Sequence, residues 1–392
     1  MTMKTKNEIF SRYLSEYIKA TKQRKGEILA NVCETTEMHE KAVIRKFKRL
    51  QLKGSSETEK RGRKIVYTMD SIVALKTIWE AASEICGELL YPIISDYVAL
   101  LKRDNLWTHT ESATDKLFAM SEATVKRKVG GFYKARSWRK GQSTTKPSNL
   151  KEIIPIFSGP WEDLGPGHGQ IDTVVHCGYT LLGNIAYSVN YTDVCTLWVS
   201  FGAQLNKGQI ATRDNLKKIK GKVPFSIKSM HPDTGSEFIN WHVKEWVDEE
   251  DIDFTRSRPN RKNDNAYVEQ KNGHVIRRFL GYSRIDAPEA IEMMNIFYDK
   301  LELYINHFIP SRKCVEKIRV GSKYKRKYDK GKTPYQRVLE HENIEQDVKN
   351  SLCEKHQILN PLLLKREIDK MISEIFKLQK RYGNPNFMRQ SE

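Results

Sequence analysis

The sequence predicts a multidomain fold. An α-helical N-terminal region comes first, then an α/β core built on a mixed sheet, then a small basic C-terminal region ending in a helix. Three observations lead there. Charge is unevenly spread: of a net +18, residues 1–150 hold 29 Lys and Arg against 17 Asp and Glu, whereas residues 151–285 hold 17 against 16. Apolar residues recur at helical spacing before about residue 135 and give way to β-rich runs after about residue 165. With 392 residues, 39% of them hydrophobic, the chain has the length for about two or three domains with real cores.

The N-terminal region divides into 1–58, a basic linker 59–69 and a second helical segment 70–135. Residues 7–50 read as an amphipathic helix, a short polar break and a second helix beginning near Thr36, on which Lys41, Arg45, Lys48 and Arg49 crowd. That is the pattern of a helix-turn-helix, whose second helix enters a major groove; a solvated basic face has the same pattern. "KRGRK" (60–64) places Arg61 and Arg63 around Gly62, an arrangement that can lie along a narrow minor groove. From Asp70 to about Lys102 the apolar positions Ile72, Leu75, Ile78, Trp79, Ala82, Ile85 and Leu89 keep helical spacing. "ATDKLFAMSEATVKRKVGGF" (113–132) then repeats the first pattern, with Ser121 as N-cap and Thr124, Lys126, Arg127 and Lys128 on the helix it opens. The linker 136–160 is basic and rich in Ser, Thr, Gly and Pro.

The core, 161–310, begins with three consecutive strands, in "GQIDTVVHCG", "YTLLGNIAYSVNYTD" and "CTLWVSFGAQL". A helix ("QIATRDNLKKIKG"), a strand ("VPFSIKSMHPD"), a helix ("SEFINWHVKEWVDEE"), a short strand ("IDFTRS") and a helical stretch from about Asn265 to Leu280 follow. Hairpin-linked strands followed by alternating helix and strand describe a mixed sheet with helices on its faces. The C-terminal module, 311–358, carries Tyr324, Tyr328 and Tyr335 among Lys and Arg. The last helix, 359–392, opens at Asn360-Pro361 and sets Leu364, Ile368, Met371, Ile375, Leu378 and Tyr382 in a heptad rhythm. Packing on its own chain and dimerising would both use that seam. No apolar run is long enough for a membrane span, and the start lacks the apolar segment of a signal peptide, so a cytoplasmic protein is expected. Six cysteines without a CxxC pair indicate reduced thiols.

Three acids stand where carboxylates are costly or unexplained. Asp172 lies mid-strand beside Ile171 and Val174, where an ionised carboxylate needs a partner or a cation. Asp233 ends a later strand in "HPDTGSEF". Glu269 lies on a helix, 35 residues separating it from Asp233. Taken singly, each has a plain reading: a backbone-satisfied Asp, a helix cap, a surface Glu. Asp193 reads as a turn stabiliser, His168 and His176 as structural, and His231, Asn240 and Asn265 as neighbours able to support a site. If the three acids meet, their ligands are all hard oxygen, suited to Mg²⁺ or Mn²⁺, and two ions so held would clamp both oxygens of an in-line phosphoryl displacement.

"GQIDT", "HPDTGSEF" and "NDNAYVEQKN", with their 35-residue interval, resemble the integrase-type DDE transposases of bacterial insertion sequences, relatives of retroviral integrase. The resemblance covers about residues 165–310. It implies a ribonuclease-H-like core in which Asp172, Asp233 and Glu269 are the catalytic metal ligands, with two Mg²⁺ or Mn²⁺ ions per site. It also implies double-stranded DNA as partner, both as transposon ends and as target. A homo-oligomer would hold the ends in a synaptic complex, with an ATPase target-selection partner as a further possibility, and the protein would work at the bacterial nucleoid. Two departures stand out. No His/Cys zinc module opens the chain, and the positions one and two turns past Glu269 are Gly273 and Ile276, where retroviral integrases present lysines. Lys271, His274, Arg277 and Arg278 are the nearby DNA-contact candidates. Two alternatives compete: a domesticated DNA-binding regulator, and a nuclease of the same fold that cuts without joining.

Overall fold

The computed structural model describes residues 2–52, 66–133, 154–157, 161, 164–258, 264–320 and 323–387. They belong to two compact units, 1–65 and 66–392. Arg61 and Arg63 lie outside the described residues, as does most of the 136–160 linker. Among the described residues no helix is long and apolar enough to cross a membrane.

The first unit is three helices, α1 (Met3–Lys19), α2 (Lys22–Thr36) and α3 (Glu40–Leu52). Thr2 and Thr21 cap the first two, each hydroxyl accepting an N–H from the first turn. Phe10, Ile28, Val32, Val43 and Phe47 make the core, with the Tyr17 ring stacked on Phe47 at 4.3 Å. The expected start near Thr36 is corrected. Thr36 is the buried end of α2, its hydroxyl bonded to the Val32 carbonyl, and a left-handed Glu37 (φ 54°) stops the helix so that α3 begins at Glu40.

The second unit opens with α4 (Met69–Ala81), α5 (Gly87–Leu90), α6 (Ile94–Arg103), α7 (Glu111–Phe118) and α8 (Glu122–Tyr133). Ser121 caps α8, accepting from the Thr124 N–H at 3.4 Å. Strands β1 (His168–His176), β2 (Ala186–Asp193) and β3 (Val199–Leu205) follow, then α9 (Gln209–Lys222), β4 (Ser229–Pro232), α10 (Trp241–Glu249) and β5 (Asp253–Phe254). They form one sheet in the order β3-β2-β1-β4-β5. The first three strands are antiparallel, and β4 and β5 run parallel to β1. Next come α11 (Ala266–Lys271), a π-helical turn (Asn272–Ile276), α12 (Arg277–Leu280) and α13 (Pro288–Phe308). The basic stretch forms a hairpin of β6 (Cys314–Val320) and β7 (Lys323–Tyr328), and the chain closes with α14 (Pro334–Glu340), α15 (Gln346–Ile358) and α16 (Pro361–Tyr382).

Both faces of the sheet are covered, which is why β2 is buried at every position. Ile171, Val189 and Tyr191 pack with Leu216 and Trp246 of α9 and α10. Val174, Ala186 and Phe201 point the other way, into a cluster shared with α13, α16 and the helices α4–α8. The segments 70–135, 161–310 and 359–387 therefore share one core. The α16 seam lies in it: Leu364, Ile368 and Ile375 are buried there, so the rhythm packs on its own chain. Asn360 caps that helix as its sequence promises, accepting from the Leu362 and Leu363 N–H groups.

The edge strand β3 is closed by polar side chains of α13. Asn306 exchanges two hydrogen bonds with the Val199 backbone (2.9 and 2.8 Å), Glu302 accepts from the Phe201 N–H at 2.6 Å, and Asn295 exchanges two with Ala203 (2.8 and 3.1 Å). An open edge of N–H and C=O groups is a template for another strand; here a helix covers it. Asn306→Ala leaves two buried groups unpaired at about 1–3 kcal/mol each. It should lower the stability of this unit by about 2–6 kcal/mol in urea unfolding; an unchanged urea midpoint would refute the edge-closing role.

Candidate active site

β1 is the middle strand, and its parallel pairing with β4 sets Ile171 opposite Pro232. The next residue on each strand is an acid, Asp172 on one and Asp233 on the other, so the two leave the ladder side by side. Proline at the end of β4 has no N–H to continue pairing, which frees the chain to turn at Asp233. There the Asp233 Oδ1 accepts the Gly235 N–H at 2.8 Å. A Cβ at Gly235 would stand 2.8 Å from that oxygen and 2.6 Å from Glu237 Oε2, so glycine leaves room for two carboxylates to flank one point.

Glu269 lies on α11, near enough for its charge to act on Asp172, and the start of that helix is held by β1 itself. The buried Gln170 side chain donates to the Asp264 carbonyl (2.9 Å) and accepts the Tyr267 and Val268 N–H groups (3.0 and 3.2 Å). One amide thus caps the helix from a strand position two residues before Asp172, on the same face of the sheet. Arg258 steadies the approach by a two-pronged bond to Asp264 (2.9 and 2.8 Å). Asn265, with its amide oriented to satisfy its neighbours, accepts the Asp233 N–H at 3.2 Å.

A chain of amides fixes Asp172. The Asn272 amide donates to Asp172 Oδ2 at 2.7 Å, Asn190 on β2 donates to Asn272 Oδ1 at 2.9 Å, and the Thr192 hydroxyl donates to Asn190 Oδ1 at 3.2 Å. On the other side the buried Glu237 accepts from Lys207 (3.0 Å) and from Thr173, the residue after Asp172 (3.1 Å). Desolvation first, then the Asp233 carboxylate, with Glu269 and Glu237 adding, push the Asp172 carboxyl up to about 8 against the pull of the Thr173 N–H. Burial is the larger cause, and the neighbouring carboxylates add to it. Asp172 and Asp233 are half-buried and Glu269 is exposed, so the cluster opens to solvent.

Among the described residues no group of three His, Cys, Asp or Glu side chains stands close enough to hold a metal ion. The donor chemistry nonetheless fits a hard divalent cation. The donors are carboxylates without thiol or imidazole, and a raised Asp172 is what a positive ion there would reverse.

The remaining candidate residues fall into distinct settings. Lys41, Arg45 and Lys48 form an exposed stripe on α3, with Arg49 beside it, opposite the buried Val43 and Phe47. On α8 Arg127 is exposed and Thr124 and Lys128 are half-buried, while Lys126 meets Glu88 at 3.1 Å and Glu122 at 3.3 Å. Arg277 is committed to carbonyls, those of Val175 (2.7 Å) and Gly281 (3.2 Å), and lies over the Tyr282 ring. Lys271 is buried and bonded to Ser311, His274 is exposed, and Arg278 is half-buried. His231 faces Thr255 and the Phe157 and Trp161 rings rather than the acids. His176 bonds Ser188 and His168 bonds Ser229. Asp193 closes its turn through the Gly167 and Thr196 N–H groups, and Asn240 caps α10 while donating to the Glu237 carbonyl.

Sequence reasoning missed Gln170, Asn190, Asn272 and Glu237. One signal was readable: Gln170 and Asp172 are two polar residues at strand alternation in an apolar strand, and so share a face.

No family model matches the chain. Over 332 residues it is 29% identical to the uncharacterized protein y4rM of Sinorhizobium fredii, covering 84% of this chain and 93% of that one. Among solved structures it is similar to the HTLV-2 integrase catalytic core domain, in complex with magnesium in a dimeric form. The identity is 15%, the TM-score 0.28, and the match spans 37% of this chain and 90% of that one.

If the corner holds a cation, Mg²⁺ at about ten times its Kd should add about 1.4 kcal/mol. That corresponds to a Tm rise of about 2–4 °C in differential scanning fluorimetry. Asp172→Asn should raise the metal-free Tm, by removing one clustered charge, and should abolish the Mg²⁺ response. An equal Mg²⁺ shift in both proteins would refute metal binding at this corner.

Proposed function

We propose that the chain is a DDE-type DNA transposase. It binds the ends of a mobile element, hydrolyses them to free 3′-OH groups and joins those to target DNA. The observation that supports this most is the corner itself: two aspartates that follow the last β1–β4 pair, with Glu269 carried on a helix that β1 caps.

In this reading Asp172, Asp233 and Glu269 hold two Mg²⁺ or Mn²⁺ ions, which supply charge stabilisation to the attacking and leaving oxygens of the phosphodiester. The chain's own residues orient the ligands. Asn272 fixes the rotamer of Asp172, Gln170 fixes the start of the helix that carries Glu269, and Lys207 with Thr173 holds Glu237 beside the corner. The exposed side of the cluster admits the phosphodiester. Hydrolysis and joining use the same corner in turn, water being the nucleophile in the first and the freed 3′-OH in the second.

The stripe of Lys41, Arg45, Lys48 and Arg49 grips end DNA as a helix-turn-helix would, with α8 as a second contact. Cation–phosphate contacts supply most of the affinity and make it salt-sensitive. Two ends imply at least two copies in a synaptic complex.

The test uses duplexes carrying the sequences that border this reading frame, one set pre-cut. Joined product is expected with Mg²⁺. Glu269→Gln should abolish hydrolysis and joining while leaving end affinity within about threefold, since a transition-state ligand contributes little to ground-state binding. Cutting without joining would make the protein a nuclease. Binding without either step would make it a regulator, and loss of end binding in Glu269→Gln would refute the division of labour.

A further inference from the structure

A cavity of about 470 Å³ lies in the second unit beside the end of α11 and the π-helical turn that follows it. Leu89, Val275, Phe279 and Ile305 give it an apolar floor, and Tyr133 and Tyr328 stand at its wall. Four basic side chains line it: Lys271, His274, Arg278 and Arg312. Its acid, Glu88, is already paired with Lys126 at 3.1 Å, and Arg312 is 3.9 Å from Glu122.

Lys271 is 5% exposed, and its Nζ donates to Ser311 Oγ at 3.0 Å. Among the described residues the charge that bears on it is the like one of Arg337, not a carboxylate, although a buried ammonium ordinarily needs one. An anion entering the cavity would supply the missing counter-charge. The occupant that matches both halves is a flat apolar ring joined to an anionic group, which is a nucleotide.

Its place in the fold favours DNA. Asn272, the residue after Lys271, donates to Asp172 of the carboxylate corner, while Lys271 lines the cavity. A helix is about 10 Å across with its side chains, and about three nucleotides at the ~3.4 Å stacked rise cover that distance. We propose that this cavity receives an unpaired DNA nucleotide close to the scissile phosphate, its base over the apolar floor and its phosphate against Lys271 and Arg278. The proposal rests on the strand-processing reading above. Unstacking costs a few kcal/mol and is least for a nucleotide already unpaired, while an aromatic wall accepts any base.

The test is fluorescence-anisotropy binding by the full chain in EDTA, with one duplex offered either blunt or with a short unpaired fork at one end. The fork should bind about tenfold more tightly, its unpairing cost being already met. Val275→Phe, which fills the floor, should bring fork and blunt affinities within about twofold. Binding of the blunt duplex reports that the variant is folded. Cys86→Trp fills the cavity from the opposite wall and reads the same point if Val275→Phe misfolds. Equal affinity for fork and blunt in the wild type, or a preference that survives both filled variants, overturns the cavity assignment. Displacement of the fork by equimolar ATP or dAMP would assign the site to a free nucleotide and overturn it as well. Failure to bind either duplex would instead overturn the strand-processing reading, so the two failures are distinguishable.

Discussion

Like charges on adjoining parallel strands are the constraint around which the second unit is arranged. Asp172 and Asp233 each follow the last pair of the β1–β4 ladder, so the sheet sets their backbones side by side. Burial and mutual repulsion lift Asp172 well above the ordinary carboxylate range. The surrounding polar residues make sense as a response. Asn272 and the Thr173 N–H donate to Asp172, the Gly235 N–H donates to Asp233, and Lys207 answers Glu237. Each supplies a donor where a carboxylate would otherwise be buried without one. A site that only stabilised the fold would replace one of these acids with an amide. Retaining all of them costs stability that a bound cation would return.

The order of the elements was legible because it follows from local rules. Three β-rich runs with turn residues between them gave β1, β2 and β3, and Asn360-Pro361 gave the start of α16 through its cap. Motif and interval singled out three carboxylates, and the parallel pairing of β4 with β1 sets two of them, Asp172 and Asp233, side by side. Long-range polar contacts were the unreadable part. Gln170 caps a helix that begins 96 residues later, and Asn272 meets an aspartate 100 residues earlier. Neither leaves a periodic trace. The edge of β3 is a similar case, since Asn295, Glu302 and Asn306 look like an ordinary polar face of α13 until the strand beside them is known. The heptad rhythm of α16 fits a dimer seam and an intramolecular one equally, because both bury the same stripe; packing against α13 takes it up.

Proximity in sequence to Glu269 also proved a poor guide to which cations face outward. Arg277 is held by two carbonyls and a tyrosine ring, and Lys271 is buried beside a serine. His231, next but one to Asp233, turns its ring toward Phe157 and Trp161, where burial lowers its pKa to about 4 and keeps it neutral. A basic residue near an acid in the chain is thus as readily a brace for the backbone as a contact for phosphate.

The π turn at Asn272–Ile276 explains how one helix serves both purposes. At about 100° per residue, Arg277 in an unbroken α-helix would stand about 80° round from Glu269. A turn that absorbs one extra residue brings it back beneath Glu269. Glu269, Asn272 and Arg277 then share a side facing β1, where Asn272 reaches Asp172 and Arg277 reaches the Val175 carbonyl three residues further along the same strand. The helix is therefore tied to β1 below the carboxylates, through Arg277, as well as above them, through Gln170. With both ends fixed, Glu269 has little freedom to drift from the aspartates, while Lys271, His274 and Arg278 are turned together toward the opposite wall. An unbroken helix could satisfy the acids or the Arg277 anchor, but not both from one axis.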